Sequence, residues 1–248
     1  MSQKPSAALS AAKKVRDQFF STASACFLAG SVVRGEATAY SDLDLVVVFE
    51  RVKNAQRQSF IFDSWPVEAF VHDPQTLEYF FREVDRPSGV PSLANMVSEG
   101  IEVPRKTECG NRLKDLASRM LEEGPIPWRQ TERENSRYAI SDMVEDIREP
   151  RNSGELRIVV SNLYVAIADH FFRSQNHWSA KGKSISRRLM SVDPEFHQRF
   201  TEAFETAYKQ EDTAAVIRLC KHVLEPDGGF LFDGYTRDAP TAWRILDP

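Results

Sequence analysis

Strand signals crowd the first half of this sequence and stop at Gly124-Pro125-Ile126-Pro127. Two prolines and a glycine so close together interrupt any regular element and read as a linker. Before them, Ala8, Ala11, Ala12, Val15 and Phe19 recur at helical spacing and predict a helix over about Ser6–Phe20. Short apolar runs predict strands at Cys26–Ala29, Ser41–Phe49, within Phe60–Val71, and at Ile101–Val103. Helices are expected after Pro74 and over Gly110–Glu122. Beyond the linker only helical periodicity is left: Arg129–Glu149, Glu155–Ser174, Ser184–Met190, Pro194–Lys209 and Thr213–Leu224. Gly228–Phe232 reads as a turn with a candidate short strand. The expectation is an α+β front half, residues 1–123, and an all-α back half, residues 124–248.

With 248 residues, 42% of them apolar, there is chain enough to bury a real core. A net charge of −4 argues against a general nucleic-acid binder. Cys26, Cys109 and Cys220 are odd in number and far apart, so no disulfide framework is suggested. The N-terminal stretch carries charges where a secretory leader would be apolar, and cytoplasmic residence is expected.

The stretch from Gly30 to Leu45, GSVVRGEATAYSDLDL, carries the chemistry. Gly30-Ser31 follows a short strand. Glycine lets backbone N–H groups approach a phosphate closely, and the serine hydroxyl adds a donor. Asp42 and Asp44 lie two apart on a strand, so their carboxylates share a face. Such like charges call for a cation, and hard ions such as Mg²⁺ take carboxylate and phosphate oxygens. Paired ions about 3.5–4 Å apart can clamp the attacking and leaving oxygens of a phosphoryl displacement. Glu68, set against apolar Val67, Ala69 and Val71, is the candidate third acid, as metal ligand or proton acceptor. Its rival Asp73 precedes Pro74 and reads better as a helix cap.

At these residues the chain resembles the DNA-polymerase-β-like nucleotidyltransferase superfamily, whose signature GSxxxGxxxxxSDxDL matches Gly30, Ser31, Gly35, Ser41, Asp42, Asp44 and Leu45. The resemblance implies a small mixed sheet with helices on one side. It also implies Mg²⁺ on Asp42 and Asp44, and the triphosphate of ATP or another NTP on Gly30 and Ser31. Glu68 sits where bacterial aminoglycoside-type adenylyltransferases carry a third acid, and the helical half resembles their C-terminal domain in architecture.

Outside the motif, Arg34 suits a phosphate contact and open solvent equally. Lys181 and Lys183 flank Gly182 in a basic stretch ahead of a helix, and are candidates to neutralise a triphosphate. Asp142, Glu145, Asp146 and Glu149 form one helical stripe, suited to a polycationic substrate or simply to water. His170, inside an apolar helix, reads as a satisfied core residue; Trp65, Trp128 and Trp178 read as packing. The leading expectation is a Mg²⁺-dependent transfer of AMP from ATP to a hydroxyl of a small-molecule acceptor such as an aminoglycoside. The competitors are AMPylation of a protein or RNA partner, and a nucleotide-binding module without turnover. Neither a membrane partner nor general nucleic-acid binding is expected.

Overall fold

The computed structural model describes residues 4–244. Residues 1–3, at the head of the stretch read above as lacking a leader, and residues 245–248 lie outside that range. The chain divides into two compact units, Met1–Ile126 and Pro127–Pro248.

In the first unit α1 (Lys4–Phe19) leads into β1 (Ala25–Ala29), and the chain then returns as β2 (Leu43–Val48). A hairpin follows, β3 (Gln56–Phe62) and β4 (Trp65–His72), and β5 (Ile101–Glu102) completes a sheet of order β3-β4-β2-β1-β5. The sheet is mixed, as expected: β2 and β4 run parallel, and the other neighbours are antiparallel. Strand alternation splits its side chains into two buried faces. One face, with Cys26, Leu28, Leu45, Val47 and Ala69, packs on Ala8, Ala12 and Val15 of α1. On the other, Phe27, Val46 and Val48 meet Leu77 of α2 (Pro74–Tyr79) and residues of α4 (Ser92–Glu99) and α5 (Glu108–Glu123). Helices therefore cover both faces, where the resemblance implied one. Between α2 and α4 lie a π-helical turn, Phe80–Asp85, and a short α3 (Arg86–Ser88).

Two strand expectations are revised. The Phe60–Val71 region holds two strands, because Asp63 and Ser64 both adopt positive φ (45° and 67°) and turn the chain without a glycine. The first of them begins in polar Gln56-Arg57-Gln58-Ser59, a sequence tolerated because β3 is an edge strand. The candidate strand at Phe230–Phe232 is irregular backbone.

The second unit runs through α6 (Gln130–Arg148), α7 (Ser153–Ser174), α8 (Ser184–Val192), α9 (Pro194–Gln210) and α10 (Ala214–Leu224). Its core comes from apolar stripes, among them Ile140, Val144 and Ile147 of α6 and Val160, Leu163 and Ile167 of α7. Phe196, Phe200 and Phe204 of α9 form an aromatic ladder, with Phe196 stacked on Phe171 at 4.0 Å. Caps set the helix starts: Asn152 accepts from Glu155 N–H and Asp193 from Phe196 N–H.

The segment after α10 is tied back by a polar knot. His170 of α7 is fully buried. Its Nδ1 meets the Ser136 hydroxyl at 2.9 Å, and its Nε2 meets Asp227 at 3.0 Å. Arg133 donates to Asp227 and to the Ser174 carbonyl, while Arg137 donates to the carbonyls of Gly228 and Gly229. The Tyr235 hydroxyl donates to Asn135, and its ring stacks on Tyr138 at 4.0 Å. Among the described residues, no helix is long and apolar enough to cross a membrane.

Candidate metal and phosphate site

Sheet register builds the site. Ala29 of β1 pairs with Asp44 of β2, and Asp44 pairs with Glu68 of β4. Neighbours in register share a face, so the Asp44 and Glu68 carboxylates stand side by side at the end of the sheet where β2 and β4 begin. Asp42, expected inside a Ser41–Phe49 strand, lies one residue before β2, which begins only at Leu43, yet it still converges. One oxygen from each of Asp42, Asp44 and Glu68 falls within 4.8 Å of the others. All three residues are half-buried. This donor set is three hard oxygens with no sulfur or nitrogen, the chemistry that fits Mg²⁺ or Mn²⁺ rather than a soft ion.

Gly30 and Ser31 arrive at the same place because β1 ends at Ala29, directly beside Asp44. They open a single 3₁₀ turn, Gly30–Val32, with Gly30 at φ +76°. A Cβ on Gly30 would stand 1.9 Å from an Asp44 carboxylate oxygen, so only glycine lets the turn and the acid sit this close. The Ser31 hydroxyl donates to Ser41 Oγ at 3.2 Å, and Ser41 Oγ also accepts from Thr38 N–H at 2.8 Å. The motif serine thus ties the loop back to the turn.

Other sequence candidates fall into place around this. Arg34 is engaged by Glu36 and Glu99, which fasten the loop to α4. Asp73 caps α2: its carboxylate accepts from Thr76 N–H at 2.8 Å and from Val52 N–H at 3.1 Å. Burial acts to raise its pKa, but the bonds from Thr76 and Val52 outweigh it and hold the carboxyl below its ordinary value. His72 is buried beside Thr76, and burial holds its pKa down.

In the second unit, Lys183 is the N-cap of α8 and Gly182 turns the chain at φ +53° just before it. Asp142, Glu145, Asp146 and Glu149 form an exposed stripe, with Glu145 paired to Arg148 at 2.9 Å. Trp178 is buried. The guanidinium of Arg173 lies 5.3 Å from the Trp128 ring centre, a packing role for that tryptophan.

Sequence reasoning missed Arg57. It sits on β3 and donates to a Glu68 carboxylate oxygen, in a strand that polar composition concealed. The Glu68 hydrogen bond and charge raise its pKa; burial opposes them, and the charges of Asp44 and Asp42 add smaller upward contributions.

A family model described as a nucleotidyltransferase domain matches residues 9–86, the stretch that contains the turn, the acids and the β3–β4 hairpin. Among solved structures, the chain is similar to a nucleotidyltransferase-like protein from Exiguobacterium sibiricum, at 15% identity over 88% of this chain and 74% of that one, with a TM-score of 0.41. No curated protein matches the chain.

Proposed function

Residues 9–86 are a nucleotidyltransferase domain, and from that premise we propose that this protein transfers AMP from ATP to a hydroxyl of a small-molecule acceptor, an aminoglycoside-like polyol being the leading class. The observation that carries the reading is the convergence of Asp42, Asp44 and Glu68 within 4.8 Å, beside the Gly30-Ser31 turn.

Asp42 and Asp44 would hold Mg²⁺. When bound, the ion supplies Lewis-acid polarisation of the phosphates and neutralises charge on the leaving group. Glu68, next in the row after Asp44, would accept the proton of the acceptor hydroxyl or complete the metal's ligands. The Gly30 backbone and the Ser31 hydroxyl would hold the phosphates, with Ser41 fixing the serine rotamer.

The test is pyrophosphate release on incubation with Mg²⁺, each common NTP and a panel of hydroxylated acceptors including aminoglycosides. Turnover is expected with ATP, and Asp44→Ala should lower it by about 10²–10³-fold or more. An Asp44→Ala protein that keeps the activity sinks the mechanism. Label from ATP appearing on a protein or an RNA, with no small molecule modified, would move the acceptor to a macromolecule.

A further inference from the structure

Arg57 has no part in the chemistry above, yet it touches it. It pairs with Phe70 across the β3–β4 hairpin, while Asp44, Glu68 and Ser59 form the adjacent row on the same face. To reach Glu68 its side chain must lean back one row along the sheet. It does so: the guanidinium bonds the Glu68 carboxylate and lies 5.3 Å from the Phe70 ring centre. The arginine side chain is 62% exposed and that of Glu68 21%, so the cation is the partner with freedom to leave.

An ion pair this exposed adds little to stability. Its effect lies in the site's electrostatics. Three carboxylates within 4.8 Å repel one another, and a guanidinium bonded to one of them relieves that repulsion without any bound ion. A divalent cation entering the same space meets the arginine's charge and must compete for an oxygen the arginine already uses. The polyanionic triphosphate brings the opposite bias, adding negative charge that favours the metal. A guanidinium displaced from Glu68 keeps a favourable contact with the Phe70 ring, because cation–π attraction does not need the carboxylate.

We propose that Arg57 is a tethered counter-ion and positioning residue: it occupies Glu68 while the site is empty, opposes binding of the bare divalent ion, and yields Glu68 when metal and nucleotide arrive together. This rests on reading the triad as the metal site. It makes the ordered entry of metal with nucleotide a property of the hairpin.

Mn²⁺ titration followed by electron paramagnetic resonance tests the proposal without any turnover. In the absence of nucleotide, Arg57→Gln should bind Mn²⁺ roughly tenfold tighter than the wild type. Arg57→Lys, which keeps the charge, should stay close to the wild type. With a non-hydrolysable ATP analogue present, the gap between Arg57→Gln and wild type should shrink. Equal or weaker Mn²⁺ binding by Arg57→Gln overturns the counter-ion role, as does a gap that persists unchanged with the analogue. Asp44→Asn, placed in both backgrounds, separates this from the underlying reading. It should abolish Mn²⁺ binding in each, and binding that survives shows that the triad is not the metal site, whatever Arg57 does.

Discussion

Each unit gathers a cluster of charged and polar side chains, and the two clusters are built on opposite terms. In the helical unit every member of the knot spends its capacity on another. His170 is bonded at both ring nitrogens, Asp227 faces His170 and Arg133, and Arg137 is taken up by backbone carbonyls. Burial holds the pKa of His170 below its ordinary value against the pull of Asp227. Asp227 can only accept, so Nε2–H donates to it, while Nδ1 faces the Ser136 hydroxyl. In the sheet unit, like charges face like charges at a half-open strand end, with an exposed arginine as counter-ion. The first arrangement closes a fold. The second sets like charges side by side, an arrangement that costs a fold energy unless a cation offsets it.

Gly30→Ala should produce the largest effect, because it acts on the site and the fold together. The new methyl would collide with the Asp44 carboxylate, and the residue would keep a strained positive φ. Transfer activity should fall as far as in Asp44→Ala, with a stability loss of about 1–3 kcal/mol that Asp44→Ala does not share. Urea unfolding of the two variants side by side reads the difference. An active Gly30→Ala protein would mean that the close approach of turn and acid is not needed.

His170→Ala attacks the other cluster. It opens a cavity and strips Asp227 and Ser136 of a partner, at a cost of about 2–4 kcal/mol in urea unfolding. A cost under about 0.5 kcal/mol would show that the knot does not hold the tail, and the contrast between the clusters would fail.

What the sequence disclosed follows the same division. Gly30, Ser31, Asp42 and Asp44 are close in sequence, and spacing along one strand and its preceding turn is enough to bring them together. Glu68 was legible because its strand alternates. Arg57 was not: its effect depends on a hairpin turned by Asp63 and Ser64, which carry no glycine signal, and on the β3–β4 register. The role of His170 as a core residue could be read from its apolar helix. Its partner Asp227 lies 57 positions away beyond α10, and nothing local announces such a contact. The helix α4 escaped notice because it is only eight residues long, too short for its apolar positions Leu93, Ala94 and Val97 to establish a period. Its start is held by Asp85, a residue from the preceding turn, whose carboxylate accepts from Leu93 and Ala94 N–H.

Asp85 and His170 also give the mildest test of the comparison, through pH. His170 has a folded pKa below its ordinary 6.5, chiefly through burial. The folded state then binds fewer protons than the unfolded one below that pH, so the stability this residue contributes is present above pH 6.5 and is lost as pH falls through the depressed value. Asp85 runs the other way. Burial raises it from 3.8 to about 6 despite its backbone donors, so between those values the folded state binds more protons and acidification favours folding. Lowering pH from 7 toward 5 should therefore weaken the helical unit through His170 while Asp85 offsets part of the loss in the sheet unit. Urea midpoints across that range should fall less steeply in His170→Gln than in the wild type, and more steeply in Asp85→Asn. Parallel curves for wild type and His170→Gln would show that the buried imidazole is not the group acid acts on, and that the knot's bonds survive its protonation.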